Sequence, residues 1–175
     1  MSTELEKTIR ELKDRQEIHD CMLRYCRGLD RYDRELLASA YHPDAMDDHG
    51  FYVGPVEEFI ELVFPLHEKM FQTTQHHISN HTCEIDGDTA HTETYFTFMG
   101  LNKAAPYFVS STGRYLDRLE RRNGKWAIAA RVCITETQGN RDDLSFLKNF
   151  ISPQPNRTDA SYQRPLNVDP ARMKK

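Results

Sequence analysis

The chain has 175 residues, of which 38% are hydrophobic and 29% charged, and its formal net charge is -4. That length suits one domain with a core of its own. The acidic balance offers no global field for nucleic acid or an acidic membrane surface, and acids interrupt the basic cluster of Arg118, Arg121 and Arg122.

The first twenty residues are charged rather than apolar, so neither a signal peptide nor a leading transmembrane helix is expected, and the expected location is cytoplasmic. Residues 4–28 read as one long helix, with Ile18, Met22, Tyr25 and Leu29 on one stripe. Leu5, Ile9 and Leu12 begin a stripe that Gln16 interrupts, which predicts loosely docked first turns. Gly28 is the expected helix end. Asp33 caps a short second helix, predicted to stop at Pro43. A short strand pair is expected around Gly50, and Gly54-Pro55 opens a third helix whose buried face is read as Phe59, Leu62, Val63 and Leu66.

Strands follow at Thr74–Ile85, Thr89–Leu101, Tyr107–Arg121 and Lys125–Thr137, separated by the hairpin signals Asp86-Gly87-Asp88 and Asn123-Gly124. Helices first and long antiparallel strands after them predict an α+β fold, with the helices packed on one face of a curved sheet. Residues 1–137 form the expected domain. Residues 138–175 are polar and Pro-containing, and read as an extension with one short helix near Asp142–Phe150.

Alternation along the last strand puts Trp126, Ile128, Ala130, Val132 and Ile134 on one face and Ala127, Ala129, Arg131, Cys133 and Thr135 on the other. The first set fills a core. The second suits a cavity wall carrying one cation, or else a solvent-facing surface with a single Arg. Tyr107, Val109, Ser111, Gly113 and Tyr115 repeat the theme on the strand before. Two apolar sheet faces suggest helices and pocket on one side and a second subunit on the other.

Asp30 follows the apolar helix, where a carboxylate can orient an imidazole, although capping is the commoner local role of such an Asp. His76 shares parity with Ile78 and so takes the inward face, leaving His77 outward. A His beside an Asp in an apolar pocket suits a general base, but nothing local says that the two meet. Asp47, Asp48 and His49 are adjacent and alternate across a strand, so no metal site is expected. Cys21, Cys26, Cys83 and Cys133 lack CxxC spacing, which argues against a zinc or redox motif. Serine-hydrolase, P-loop and dinucleotide motifs are absent from the sequence.

The segments Asp14-Arg15-Gln16-Glu17-Ile18, Arg24 through Asp30, Tyr41-His42-Pro43-Asp44-Ala45, His76-x-x-x-Asn80, Gly113-Arg114-Tyr115 and Arg122 through Ile128 resemble the SnoaL-like branch of the nuclear-transport-factor-2-like (NTF2-like) superfamily. The resemblance covers about residues 14–137. It implies a cone-shaped α+β barrel, a mostly antiparallel sheet bent around N-terminal helices, with the pocket at its open end. Family members include dehydratases, a dehydrochlorinase, polyketide cyclases and non-catalytic subunits. The Asp–His pair of the eliminating members falls on Asp30 and His76. The Tyr of bile-acid 7α-dehydratases matches Tyr25, and the Arg of the dehydrochlorinase matches Arg131. Unlike the bile-acid enzymes, this chain has no extra carboxylate at Thr97-Phe98, and the Arg of those enzymes falls elsewhere on the last strand, near Thr135.

The resemblance therefore implies a cofactor-independent lyase that dehydrates a hydrophobic polycyclic hydroxy-ketone, a 7-hydroxysteroid or bile-acid intermediate being the leading candidate. A polyketide or terpenoid cyclase or isomerase and a non-catalytic subunit are the alternatives. Tyr25, Asp30, His76 and Arg131 are the expected catalytic residues, and Tyr115, Ala129, Cys133 and Asn80 the expected substrate contacts. No metal or cofactor is implied. The expected partners are a small hydrophobic substrate and further copies of the chain, as a trimer rather than a dimer, with no nucleic acid or membrane. Tyr25 and Asp30 are five residues apart, hence roughly 140° apart around a helix, so a shared pocket is expected to need a helix end near Gly28.

Overall fold

A computed structural model describes residues 3–104, 107–139, 149–151 and 157–173. Helix α1 (Thr3–Asp30) and the short α2 (Arg34–Ala38) lead into strand β1 (Tyr41–Asp48). Strand β2 (Val53–Pro55), helix α3 (Val56–Met70) and strands β3 (Phe71–Asp86), β4 (Thr89–Asn102), β5 (Phe108–Arg122) and β6 (Lys125–Gly139) follow. The strands make one curved sheet in the order β2-β1-β6-β5-β4-β3, antiparallel except where β1 meets β6. The three helices pack on one face of it. The main core there joins Ile18, Met22 and Leu29 of α1 to Phe59 and Val63 of α3 and to Leu119, Trp126 and Ile128 of the sheet.

Helix α1 does not end at Gly28. It runs to Asp30 and closes with a Schellman-type pair of bonds, Asp33 N–H to Gly28 O at 2.9 Å and Tyr32 N–H to Leu29 O at 3.3 Å. The left-handed residue of that cap is Tyr32, at φ 53°. Gly28 is there for space: a Cβ on it would stand 2.6 Å from the backbone N of Leu37, where α2 crosses α1. Gly→Ala inside a helix ordinarily gains about 1 kcal/mol. Gly28→Ala is instead expected to cost about 1–3 kcal/mol, read as a lowered midpoint in urea denaturation.

The outer turns of α1 are loosely placed, with Leu5, Ile9 and Leu12 exposed. The helix is anchored at Asp14, whose carboxylate accepts from Trp126 Nε1 at 2.9 Å and from Arg121 Nη1 at 2.7 Å. The second helix is shorter than expected. The chain is already in β1 at Tyr41, and Pro43, which has no N–H, lies in the irregularity between Tyr41 and Met46 where ladder pairing with β6 lapses. On α3 the buried residues are Val56, Phe59, Ile60 and Val63, while Leu62 and Leu66 turn toward a pocket instead.

Strand β6 departs from simple alternation. Leu119 pairs with Ile128 and Arg118 with Ala130, so Ala129 is an extra residue, a β-bulge. The bulge exchanges the faces. Trp126 and Ile128 point to the helices, but beyond Ala129 it is Cys133 that joins their core, while Val132 and Ile134 lie on the other face with Leu116. That outer apolar patch, expected to meet a second subunit, is covered by the chain's own Leu166. The segment carrying it is held by Arg118 Nε to Leu166 O at 2.9 Å and by Arg172 on Asp48 at 2.6 Å. The helix expected near Asp142–Phe150 falls almost wholly outside the described residues.

Candidate active site

A pocket of about 500 Å³ opens between the concave sheet face and α3. Phe96, Phe98, Val109 and Leu66 make its walls apolar, and His49, His67 and His76 are its imidazoles. A smaller cavity of about 170 Å³, lined by Thr82, His91 and Arg164, lies on the outer sheet face under the C-terminal segment, away from these histidines.

Asp30 and His76 meet. Asp30 Oδ1 accepts from His76 Nδ1 at 2.7 Å and from Thr74 Oγ1 at 3.1 Å, and Oδ2 accepts from the His76 backbone N–H at 2.8 Å. Burial alone would raise the Asp30 carboxyl. The hydrogen bonds and charge of His76, with Thr74, outweigh burial and hold it below its usual value. The proton of a neutral His76 is therefore fixed on Nδ1, facing the carboxylate, and Nε2 is left free to act. His77 is exposed, as alternation requires.

The uninterrupted helix sends Tyr25 and Asp30 in different directions. The last turn of α1 lies inside the curve of the sheet, so residues on different sides of it reach different strands. Asp30 reaches β3, and Tyr25 reaches Arg131 of β6 and Tyr115 of β5, its ring centroid 6.3 Å from that of His76. Tyr25 is 1% exposed and is not part of the pocket lining. Its hydroxyl bonds His49 Nε2 at 2.9 Å.

Arg131 is buried beneath the pocket rather than exposed in it. Its Nε and Nη2 donate to Asp117 at 2.7 and 2.9 Å, and its guanidinium packs against the rings of Tyr25 and Tyr115, 4.0 and 4.3 Å from their centroids. Burial opposes its charge, but Asp117 and the tyrosines keep it well above its ordinary range.

Tyr115 and Cys133 line the pocket as expected. Burial pushes the Cys133 thiol up, so it serves as apolar wall rather than nucleophile. Ala129 and Asn80 are corrections. Ala129 is the bulge residue and Asn80 is exposed within the irregularity between Ile78 and His81; neither lines the pocket.

Asp117, His67 and His49 were not among the expected site residues. Asp117 shares parity with Tyr115, which was the available signal. Asp47 and His49 do converge, because positions two apart share a face. His49 Nδ1 bonds Asp47 Oδ1, and Asp47 Oδ2 accepts from Tyr41 OH at 2.7 Å. Asp48 points away, to Arg172. Among the described residues no His, Cys, Asp and Glu cluster could hold a metal ion.

His67 of α3 stacks parallel to His76, with centroids 6.2 Å apart and 12° between planes, and its Nδ1 is buried without a hydrogen-bond partner. Burial, and then the neighbouring His76, lower its pKa to about 4. It is thus neutral near pH 7 and adds no charge against His76. The unfolded chain takes up the His67 proton near pH 6.5 but the folded chain only near pH 4, so stability falls as pH drops through that window, by up to about 3 kcal/mol. His67→Leu is expected to flatten that part of the acid-side loss when urea denaturation at pH 7.5 and pH 4.5 is compared.

Among the described residues, no helix is long and apolar enough to cross a membrane. No curated protein matches the sequence. The fold is similar to the solved structure of hexachlorocyclohexane dehydrochlorinase LinA-type3 from Novosphingobium barchaimii, at 18% identity and TM-score 0.67, over 84% of this chain and 99% of that one. A putative scytalone dehydratase from Novosphingobium aromaticivorans is 18% identical with TM-score 0.70, over 78% and 93%. A protein of unknown function from Mycobacterium tuberculosis is 20% identical with TM-score 0.65, over 79% and 90%. These likenesses place the architecture in the NTF2-like fold, and the sequence matches the model of the SnoaL-like domain over residues 10–132. The chain belongs to the SnoaL-like domain family.

Proposed function

We propose that the protein is a cofactor-independent lyase that removes water from a hydrophobic polycyclic hydroxy-ketone, a 7-hydroxysteroid or bile-acid intermediate being the leading candidate. The observation that carries this reading is His76, fixed by Asp30 and lining an apolar pocket of about 500 Å³. That volume suits a multi-ring substrate. A dehydrochlorinase and a putative dehydratase among the structures of similar fold support elimination as the reaction class.

In this mechanism His76 Nε2 takes a C–H proton made acidic by conjugation to a ketone. Asp30 holds the tautomer and balances the imidazolium that forms. The electron pair of the broken C–H bond becomes the new C=C bond, and the C–O bond breaks. The enone of the substrate is the electron sink. Arg131 and Asp117 act from beneath, by fixing Tyr115 of the pocket lining and the buried Tyr25 beside it. The purified chain is expected to convert a 7α-hydroxy-4-en-3-one steroid to the 4,6-dien-3-one, seen as absorbance moving to longer wavelength. A wild-type protein that leaves this compound unchanged while converting a polyketide or terpenoid substrate by cyclisation would replace this reading.

A further inference from the structure

The pocket has a second Asp–His couple that the elimination mechanism above does not use. His49 lies in the pocket lining, stacked on Phe59 at 4.4 Å and 20°. Both of its ring nitrogens are engaged, Nδ1 by Asp47 and Nε2 by the Tyr25 hydroxyl. Asp47 is fully buried, as are Asp117 and Arg131. These three buried groups hold two carboxylates and one guanidinium. Arg131 is committed to Asp117 through two hydrogen bonds, which leaves Asp47 to be balanced. Buried charge is costly unless paired, and His49 is the group bonded to Asp47 that can supply the compensating charge. The Tyr25 ring neighbours both histidines, with centroids 6.2 Å from His49 and 6.3 Å from His76. The pocket thus carries two imidazoles of the same carboxylate-bound type, one at each side of a shared tyrosine.

We propose that His49, held by Asp47 and Tyr25, is the proton donor to the departing hydroxyl, while His76 is the acceptor of the C–H proton. The inference rests on the elimination reading and supplies the half of the reaction that His76 leaves open. Hydroxide is a poor leaving group unless it is protonated as the C–O bond breaks. With substrate in the pocket, His49 Nε2 exchanges its bond to the Tyr25 hydroxyl for one to the departing oxygen and gives up its proton there, and the oxygen leaves as water. His76 gains one proton and His49 loses one in each turnover, and exchange with solvent resets both. Asp47 is a positioning residue here, and Tyr41 orients it through the 2.7 Å bond to Oδ2.

The test compares leaving groups on one steroid skeleton, a 7-hydroxy-4-en-3-one and its 7-acetate ester. Acetate departs as a stable anion and needs no proton. His49→Gln is expected to slow hydroxyl elimination about 100-fold or more, and acetate elimination by less than about threefold, on the same acid-catalysis argument. Asp47→Asn is expected to show the same selectivity with a smaller loss. Equal slowing of both compounds, or of neither, overturns the role of His49 and leaves the dehydratase reading standing. A wild-type protein inert toward both compounds overturns the dehydratase reading, and this step with it. A second measurement needs no variant to fold and no substrate to turn over. In wild-type protein carrying nitrogen-15 histidine, adding a 7-hydroxysteroid that lacks the 4-en-3-one is expected to move the His49 Nε2 signal as its bond to Tyr25 is exchanged for one to the steroid hydroxyl, and an unmoved signal overturns the proposal.

Discussion

His76→Ala and Asp30→Asn are each expected to lower the rate of steroid dehydration by about a hundred- to ten-thousand-fold. The first removes the base. The second keeps the shape of the side chain, and its effect follows from the three donors that Asp30 accepts. The His76 backbone N–H reaches Oδ2, while His76 Nδ1 and Thr74 Oγ1 reach Oδ1. An asparagine offers one oxygen and one NH2 group. The backbone N–H can only donate, so the amide oxygen must face it and the NH2 must face Nδ1. Nδ1 then accepts, the His76 proton moves to Nε2, and the nitrogen turned toward the pocket is no longer a base. The imidazolium also loses its balancing charge. Rates measured by dienone absorbance, alongside melting curves showing that both variants fold, check this. Unchanged rates in both variants would remove the Asp30–His76 couple from the mechanism.

The largest expected stability effect lies beneath the pocket. Arg131→Met should cost about 3–5 kcal/mol, because it strands Asp117 as an uncompensated buried charge. Both side chains of the pair have 0% exposure, so no water can take over the lost bonds. The same substitution removes the cation that packs against Tyr25 and Tyr115. Replacing both partners, Arg131→Met with Asp117→Leu, is expected to cost less than the sum of the single changes, since no orphan charge then remains. Urea denaturation of the two single variants and the double variant measures this coupling. An Arg131→Met protein within about 1 kcal/mol of wild type would mean that the pair adds nothing beyond packing.

These two clusters differ in how far the sequence exposed them. The Asp30–His76 pair was nameable because a family motif joins positions that no local pattern connects. The inward orientation of His76 followed from its parity with Ile78. The Arg131–Asp117 pair was half visible: the small residues around Arg131 marked a wall, but the carboxylate that holds it sits on the neighbouring strand. The helix end expected near Gly28 is not there, and the geometric condition attached to it stands: with α1 running through Asp30, Asp30 reaches His76 while Tyr25 points elsewhere and stays buried outside the pocket lining.

The sequence by itself determined the element types and most of their order. Hydrophobic period, the Asp33 cap and the Asp86-Gly87 and Asn123-Gly124 turns are local features. The structure has Gly87, Asn123 and Gly124 all at positive φ, as such turns require. Tertiary structure alone decided the rest. The bulge at Ala129 adds one residue to a ladder, which alternation cannot register, and it brings Trp126 and Ile128 onto the same face as Cys133 while Val132 and Ile134 lie on the other. The convergence of Asp47, His49 and Tyr25, and of Asp117 with Arg131, depends on where strand β1 and the end of α1 dock against β5 and β6. Those dockings are set by packing between residues far apart in the chain, and no short stretch of sequence carries them.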